Sequence, residues 1–459
     1  MIPPHLQKDL PPPPPLRRLL GPSFILLGLG LGSGEIILWP YLTSNHGLGL
    51  AWAIVAGITM QFIINLEVER YALIYGESVF VGFARWLKFL PGWFIATTFL
   101  GFAWPGIGLA GATLVDNALG SKSSLLVGIL LFLLIGTILT LGKHLYHTVE
   151  TIQKYLILVG TPFIILLALY LARATHWQAL FTGLIGIGPN YRFLPPDISL
   201  VTLLGALAFS GAGGNLNLAQ SCYIRDKGYG MGHYSPKIGS LITNPTAPRH
   251  FSLSGFSFPL TPGNLTRFKK WWRLAQVEHF FIFWLLGLVT MLSLSLLAYS
   301  TAYGRSNNPS GIHFILNESS AIARSTLPVF GPLFLLVTGL MLTATQLTVL
   351  DSTSRIITEN LLLLRPSSSS PAPKTYYLVL WLQIAFGIFI LLLGFDQPRQ
   401  LITISAAINA VTMCIYSVLL LILNRTRLPP PLRPGLLRSF LLLLTFVFFG
   451  FFSYLSIRG

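Results

Sequence analysis

The stretch GLGLGSGEII, Gly28–Ile37, lies inside an apolar run, FILLGLGLGSGEIILWPYL (24–42), that otherwise reads as a buried helix. Four glycines, a serine and a glutamate interrupt it. Each glycine costs a helix about 1 kcal/mol and lets the backbone unwind. Unwound backbone is tolerated at membrane depth only where it packs in protein or lines a polar cavity. A carboxylate at that depth, Glu35, points to function. The stretch therefore predicts a broken helix built around a site.

The rest of the chain supplies the membrane context. Of its 459 residues, 53% are hydrophobic and 10% charged, against about 25% charged in soluble proteins; the mean hydropathy is +0.69. Apolar runs of about 20 residues recur, each long enough to cross the hydrocarbon layer. They predict an all-α polytopic membrane protein with eleven spans, near 20–42, 51–75, 93–115, 123–142, 153–172, 199–222, 277–300, 328–350, 375–395, 400–423 and 437–456. The first span follows a proline-rich leader without a small-residue cleavage site, so it reads as retained. With the N-terminus in the cytoplasm, 22 of the 30 Lys and Arg residues fall on cytoplasmic segments and seven outside, with Arg70 left in span 2. This bias sets the orientation and places the C-terminus outside, in a plasma-type membrane. It also accounts for the net charge of +16 without nucleic acid as a partner. The lipid bilayer is the expected partner, and the sequence does not read out an oligomeric state.

Span 6 carries the counterpart of the opening stretch: LVTLLGALAFSGAGGNLNLAQS (200–221), broken at Ser210–Asn215. Each break opens a block of five spans. Because five is odd, the second block enters the membrane from the opposite side. Discontinuous helices at matching places in inverted halves point to a transporter binding site, where freed carbonyls coordinate cations and half-helix N-termini hold anions. Close packing of small residues is the competing reading. The expected organisation is a disordered leader (1–19), a first five-helix repeat (20–172), an outer loop (173–198), a second repeat (199–423) holding a long cytoplasmic loop (223–272), and a linker with an eleventh helix (424–459).

Other polar residues in spans are candidates for coupling or gating. NLEVER (65–70) places Glu67 and Glu69 beside Arg70. Asp351, with Thr348, Ser352 and Thr353, forms a hydroxyl and carboxylate cluster that reads as a network or cap. Asn409 and Ser405 are weaker candidates, since lone polar residues in spans commonly make packing bonds. His46 reads as a surface residue. The two cysteines, Cys222 and Cys414, suggest neither a disulfide nor a zinc site. No spacing of metal ligands, no nucleophile with its base and no cofactor motif stands out, so no enzyme is expected. GLGLGS lacks the strand and helix that a dinucleotide fingerprint requires.

The residues LLGPSFILLGLGLGSGEI (19–36) and QFIINLEVERYALIYGES (61–78) resemble the first two spans of the Nramp divalent metal transporters. In that family a Gly-Pro opens span 1 and an Asp-Pro-Gly-Asn break follows; here Gly21-Pro22 precedes Gly32-Ser33-Gly34-Glu35. Asn65, Arg70 and Gly76 fall where the family has Gln, Arg and Gly. The resemblance implies a LeuT-like fold, a 5+5 inverted repeat with an eleventh helix, and secondary transport of a divalent cation, often driven by protons. The family's metal-binding Asp and Asn fall at Gly32 and Glu35, its span 6 Met-Pro-His near Gly213, Gly214 and Asn215, and its span 10 glutamine at Ala406. Span 3 lacks the acids of the family's proton path. The donors that remain around Gly32, Ser33, Gly34, Gly211 and Gly213 are the Glu35 carboxylate, backbone carbonyls and Asn215. Such oxygen ligands suit magnesium, calcium or manganese. An amino-acid or small organic permease of the same fold, whose glycine amides would hold a substrate carboxylate, is the alternative. A non-transporting membrane scaffold is the third.

Overall fold

The computed structural model describes residues 2–15, 21–121, 123–142, 145–235, 253–306, 308, 312–364, 372–395 and 398–458. Among them the helices are α1 (Pro22–Gly30), α2 (Trp39–His46), α3 (Ala51–Tyr75), α4 (Val79–Trp86), α5 (Leu90–Phe102), α6 (Gly106–Leu119), α7 (Ser124–Leu141), α8 (Leu145–Leu171), α9 (Ala174–Gly183), α10 (Leu200–Ala208), α11 (Leu216–Lys227), α12 (Pro262–Glu278), α13 (Gly287–Thr301), α14 (His313–Ser325), α15 (Phe330–Leu364), α16 (Ala372–Leu392), α17 (Pro398–Arg427) and α18 (Leu436–Arg458). Two π-helical turns are inserted, Ser33–Leu38 between α1 and α2, and His279–Leu286 between α12 and α13. Ten helical stretches among the described residues are long and apolar enough to cross a membrane. The eleventh span is α10 with α11, each too short alone because the chain unwinds between them.

Burial separates the bundle into an inner and an outer set. Span 1 (α1, the π turn and α2) is almost wholly buried. By contrast α7, α8 and α18 leave Leu126, Leu130, Leu158, Val159, Phe440 and Val447 exposed, the apolar face that lipid covers. The inverted repeat is visible in matched contacts. Gly28 of span 1 packs against Gln153 of span 5, whose amide donates to Ala344 O (2.9 Å) and Thr348 Oγ1 (2.6 Å) of span 8. Gly214 of span 6 packs against Asn409 of span 10, whose amide donates to Gly101 O (3.0 Å) of span 3. One small residue and one amide side chain thus serve equivalent joints in the two halves.

Four expectations need correction. Residues 2–15 of the leader, expected to be disordered, pack on the bundle. Leu10 is fully buried, Leu6–Gln7 pairs in parallel with Phe256–Ser257, and Trp271 Nε1 donates to Pro11 O (2.8 Å). A proline-rich chain needs little further ordering, and here it covers the apolar face of α12. The loop 223–272 is helical at both ends, since α11 runs to Lys227 and α12 starts at Pro262. Thr261 caps α12 by accepting from Asn264 N (3.3 Å), and Pro262 stands at its first position, a strong helix start. Residues 236–252 of that loop, the linker 365–371 and residues 16–20 of the leader fall outside the described residues. Arg225 and Arg355, which lie beyond the expected ends of spans 6 and 8, are buried in α11 and α15. Finally, span 3 is itself interrupted at 103–105. Pro105 lacks an amide hydrogen and disfavours helix in the residue before it.

Candidate substrate site

The two glycine-rich breaks meet. A Cβ added to Gly30 would lie 2.9 Å from Gly211 Cα, and one added to Gly34 would overlap the carbonyl of Phe209. Gly32 in turn faces the side chain of Thr345 on α15, whose hydroxyl donates to Gly28 O (2.8 Å). The glycines of span 1 are therefore packing residues as well as helix breakers, and their small size brings two unwound backbones into contact. Gly213 and Gly214 adopt positive φ, +74° and +47°, a conformation L side chains rarely take.

Glu35 stands where the breaks meet. It is fully buried on the first π turn, and neither carboxylate oxygen has a hydrogen-bond partner. Its Oε1 lies 3.2 Å from where a Cβ on Gly30 would sit and 3.8 Å from one on Gly287 of α13. Side chains at Gly30 or Gly287 would therefore crowd the carboxylate. The carbonyls of Ser210, Gly211 and Ala212 accept no hydrogen bond among the described residues. Unpaired buried acceptors of this kind await a donor, a cation or water. The side chain of Ser33 lies outside the described residues.

Gln61 of α3, which the sequence reading passed over, holds the span 6 break open. Its Nε2 donates to Leu207 O (3.3 Å) and Ala208 O (3.0 Å), and its Oε1 accepts from Gly213 N (3.0 Å). One amide thereby satisfies Gly213 N–H and Ala208 O, which unwinding leaves without helical partners, and adds a second donor to Leu207 O, which Ser210 N also reaches. Trp39 Nε1 adds a bond to Ser210 Oγ (2.9 Å).

The other predicted residues divide into separate groups. Asn215 does not reach Glu35. Its amide turns to span 3, donating to Thr97 Oγ1 (2.9 Å) and Thr98 Oγ1 (2.8 Å), so it anchors α11 instead of joining the carboxylate. Asn409 and Ser405 both bond Gly101 O. The NLEVER cluster splits. Glu67 makes a two-pronged pair with Arg70 (2.8 and 3.1 Å), while Arg438 and Asn424 also approach it and Arg70 stacks on Trp272. Glu69 faces another way, toward Gln220 and His279. Asn65 is buried with neither amide atom partnered. Asp351 accepts from Tyr223 OH (2.8 Å), Tyr376 OH (2.7 Å) and Arg355 Nε (2.9 Å). Arg355 also bonds Asp226, and Ser352 bonds Tyr223 (2.7 Å). Thr348 is not part of this network; it bonds Gln153. No group of three or more His, Cys, Asp or Glu side chains suited to a metal ion occurs among the described residues.

Beyond Phe209 lies a small cavity lined by Phe102, Trp104, Ile107, Gln346, Ile402 and Ser405. At about 10 Å³ it has room for about one water molecule.

No family profile matches the sequence, and no curated protein does. Solved structures do match. A mutant of the Eremococcus coleocola manganese transporter is 13% identical, with a TM-score of 0.72 over 99% of this chain and 89% of that one. Mhp1, a nucleobase-cation-symport-1 family transporter, is 11% identical, with a TM-score of 0.54 over 96% and 91%. MhsT in complex with L-phenylalanine is 15% identical, with a TM-score of 0.54 over 95% and 97%. At these identities the likeness carries the fold, and the chain has the LeuT-like inverted-repeat fold with an eleventh transmembrane helix.

Proposed function

We propose that the protein is a secondary transporter that carries a hard divalent cation, such as manganese or magnesium, past Glu35 by alternating access. One observation carries this reading. A fully buried carboxylate has both oxygens unpaired, close to the backbones of Gly30 and Gly287 where the two helix breaks meet. A carboxylate held this way is costly unless a cation or a proton neutralises it, and oxygen donors suit ions that bind oxygen. The two π turns, one bearing Glu35, give the breaks a second hinge near the site. The basic face that bears the leader is then cytoplasmic.

A second reading rests on the cavity beyond Phe209. It is aromatic and apolar with only Gln346 and Ser405 as polar lining, which suits a small organic molecule once the cavity widens. Uptake into liposomes holding the purified full-length protein separates the two. The ion reading expects saturable manganese or magnesium flux and none of amino acids. Saturable amino-acid flux without any divalent-ion flux overturns it.

A further inference from the structure

A second group of buried polar side chains lies at the start of α1, apart from Glu35. His279 opens the π turn of span 7 and is fully buried, its ring stacked between Phe62 and Phe283 at centroid distances of 5.3 and 4.7 Å. Its Nδ1 lies 3.4 Å from Glu69 Oε1 of α3 and 3.2 Å from Ser23 Oγ in the first turn of α1. Gln220 of α11 donates to the same Glu69 oxygen at 2.7 Å. Glu69 Oε2 and His279 Nε2 have no partner. Among the described residues no Lys or Arg lies within ion-pair distance of Glu69.

The neighbouring carboxylate is held differently. Glu278 accepts from Gly21 N (3.0 Å), Ser23 N (3.4 Å) and Tyr229 OH (3.0 Å). It sits at the positive end of α1, where three donors and the helix dipole hold an anion. Lys227, the nearest cation, is committed to Glu150 at 2.7 Å. Glu69 therefore has only a neutral amide and an imidazole to answer its charge, close to a second anion. One proton shared between Glu69 and His279 makes the pair neutral and removes the cost of an uncompensated buried charge.

We propose that Glu69 and His279 form the proton-binding site of the transport cycle, and that Ser23 reports its state to the inner half of span 1. This rests on the transporter reading. With the proton absent, His279 Nδ1 accepts from the Ser23 hydroxyl and ties α1 to span 7. With Glu69 protonated, its carboxyl O–H donates to the single lone pair of His279 Nδ1, and Ser23 loses its acceptor. The tie then falls to Glu278 alone. Because α1 leads through Gly30 and Gly32 to Glu35, proton binding at one end and cation binding at the other bias the same half-helix. Coupling needs such an element, one that both ligands bias.

Two measurements on the full-length protein test this. The first needs no substrate. The pH-difference infrared spectrum is recorded in a Glu35→Gln, Glu318→Gln background, which removes the other buried carboxyls with an unpartnered oxygen. It should contain a protonated-carboxyl band that Glu69→Gln abolishes and His279→Gln shifts. A band unaffected by both substitutions overturns the proposal, whatever the substrate proves to be. The second uses proteoliposomes with manganese as the probe and an entrapped pH dye. In the parent, uptake should change by up to about tenfold per pH unit, the limit for one proton. Glu69→Gln and His279→Gln should flatten that profile and abolish the accompanying proton movement while leaving manganese exchange at equal pH intact. Ser23→Ala, a small change tolerated by the fold, should weaken coupling with the infrared band kept. Retention of the parent pH profile and proton movement in Glu69→Gln and His279→Gln contradicts the assignment.

Discussion

Glu35 and Asp351 are both fully buried carboxylates inside spans, yet the protein treats them in opposite ways. Asp351 accepts from two tyrosine hydroxyls and Arg355, which in turn reaches Asp226. Glu35 accepts from nothing. The first is a closed network that fastens α11, α15 and α16 to one another. The second is an open valence between two broken helices. In a medium where charge is expensive, the partner count separates a carboxylate kept for structure from one kept for a ligand.

That contrast sets the scale of the expected effects. Arg355→Ala should do most damage. It leaves Asp351 buried without its cation and Asp226 with Arg225 alone, a loss of about 3–5 kcal/mol by analogy with broken buried pairs. The melting temperature in detergent should fall steeply, and a fall as small as that of a surface substitution would mean the network is not stabilising. Next comes Gln61→Leu, similar in size, which frees Gly213 N–H and the carbonyl of Ala208. Each buried group left unpaired costs about 1–3 kcal/mol. Thermal unfolding should register that loss, and hydrogen exchange should show faster exchange confined to the span 6 break. Unchanged exchange there would remove Gln61 from its role.

The smallest effect concerns the leader. Glu77, just past the end of α3, is buried, and burial alone raises its carboxyl. The hydrogen bond and charge of His5, the charge of Arg85 and the N–H of Gly255 outweigh this and hold it below the ordinary glutamate range. A depressed carboxyl stabilises above its unfolded value, about 4.3, and that stability is lost as pH falls through the folded value. Protection of the Lys8 amide, which bonds Ser257 O at 2.9 Å, should therefore hold near neutrality and decline only in strong acid. Hydrogen exchange of the leader as a function of pH checks this. Loss of protection well above the glutamate range would implicate another group.

The fold was legible in the sequence because membrane spans and their breaks are local features. Apolar length marks a span, and clustered glycines mark where it unwinds. Glu35 was legible for the same reason, as a charge out of place in its own helix. What stayed hidden depends on partners far along the chain. Gln61 is an unremarkable amide until Gly213 is placed beside it, and His279 looks like the edge of a loop until α12 extends the span. Asn215 carried the right chemistry in the right break, but its direction is set by Thr97 and Thr98. The Glu67–Arg70 and Glu69 groups read as one cluster because they are adjacent in sequence, although they occupy different helix faces.

The central claim is that Glu35 is kept unpaired for a cation, and thermal melting of Glu35→Gln with and without manganese or magnesium tests it most directly. The account expects the parent to gain stability with the ion, as any ligand of the native state produces. It expects Glu35→Gln to melt at or above the ion-free parent and to gain nothing from either ion. A substituted protein that melts lower without ion and still gains as much as the parent would contradict it.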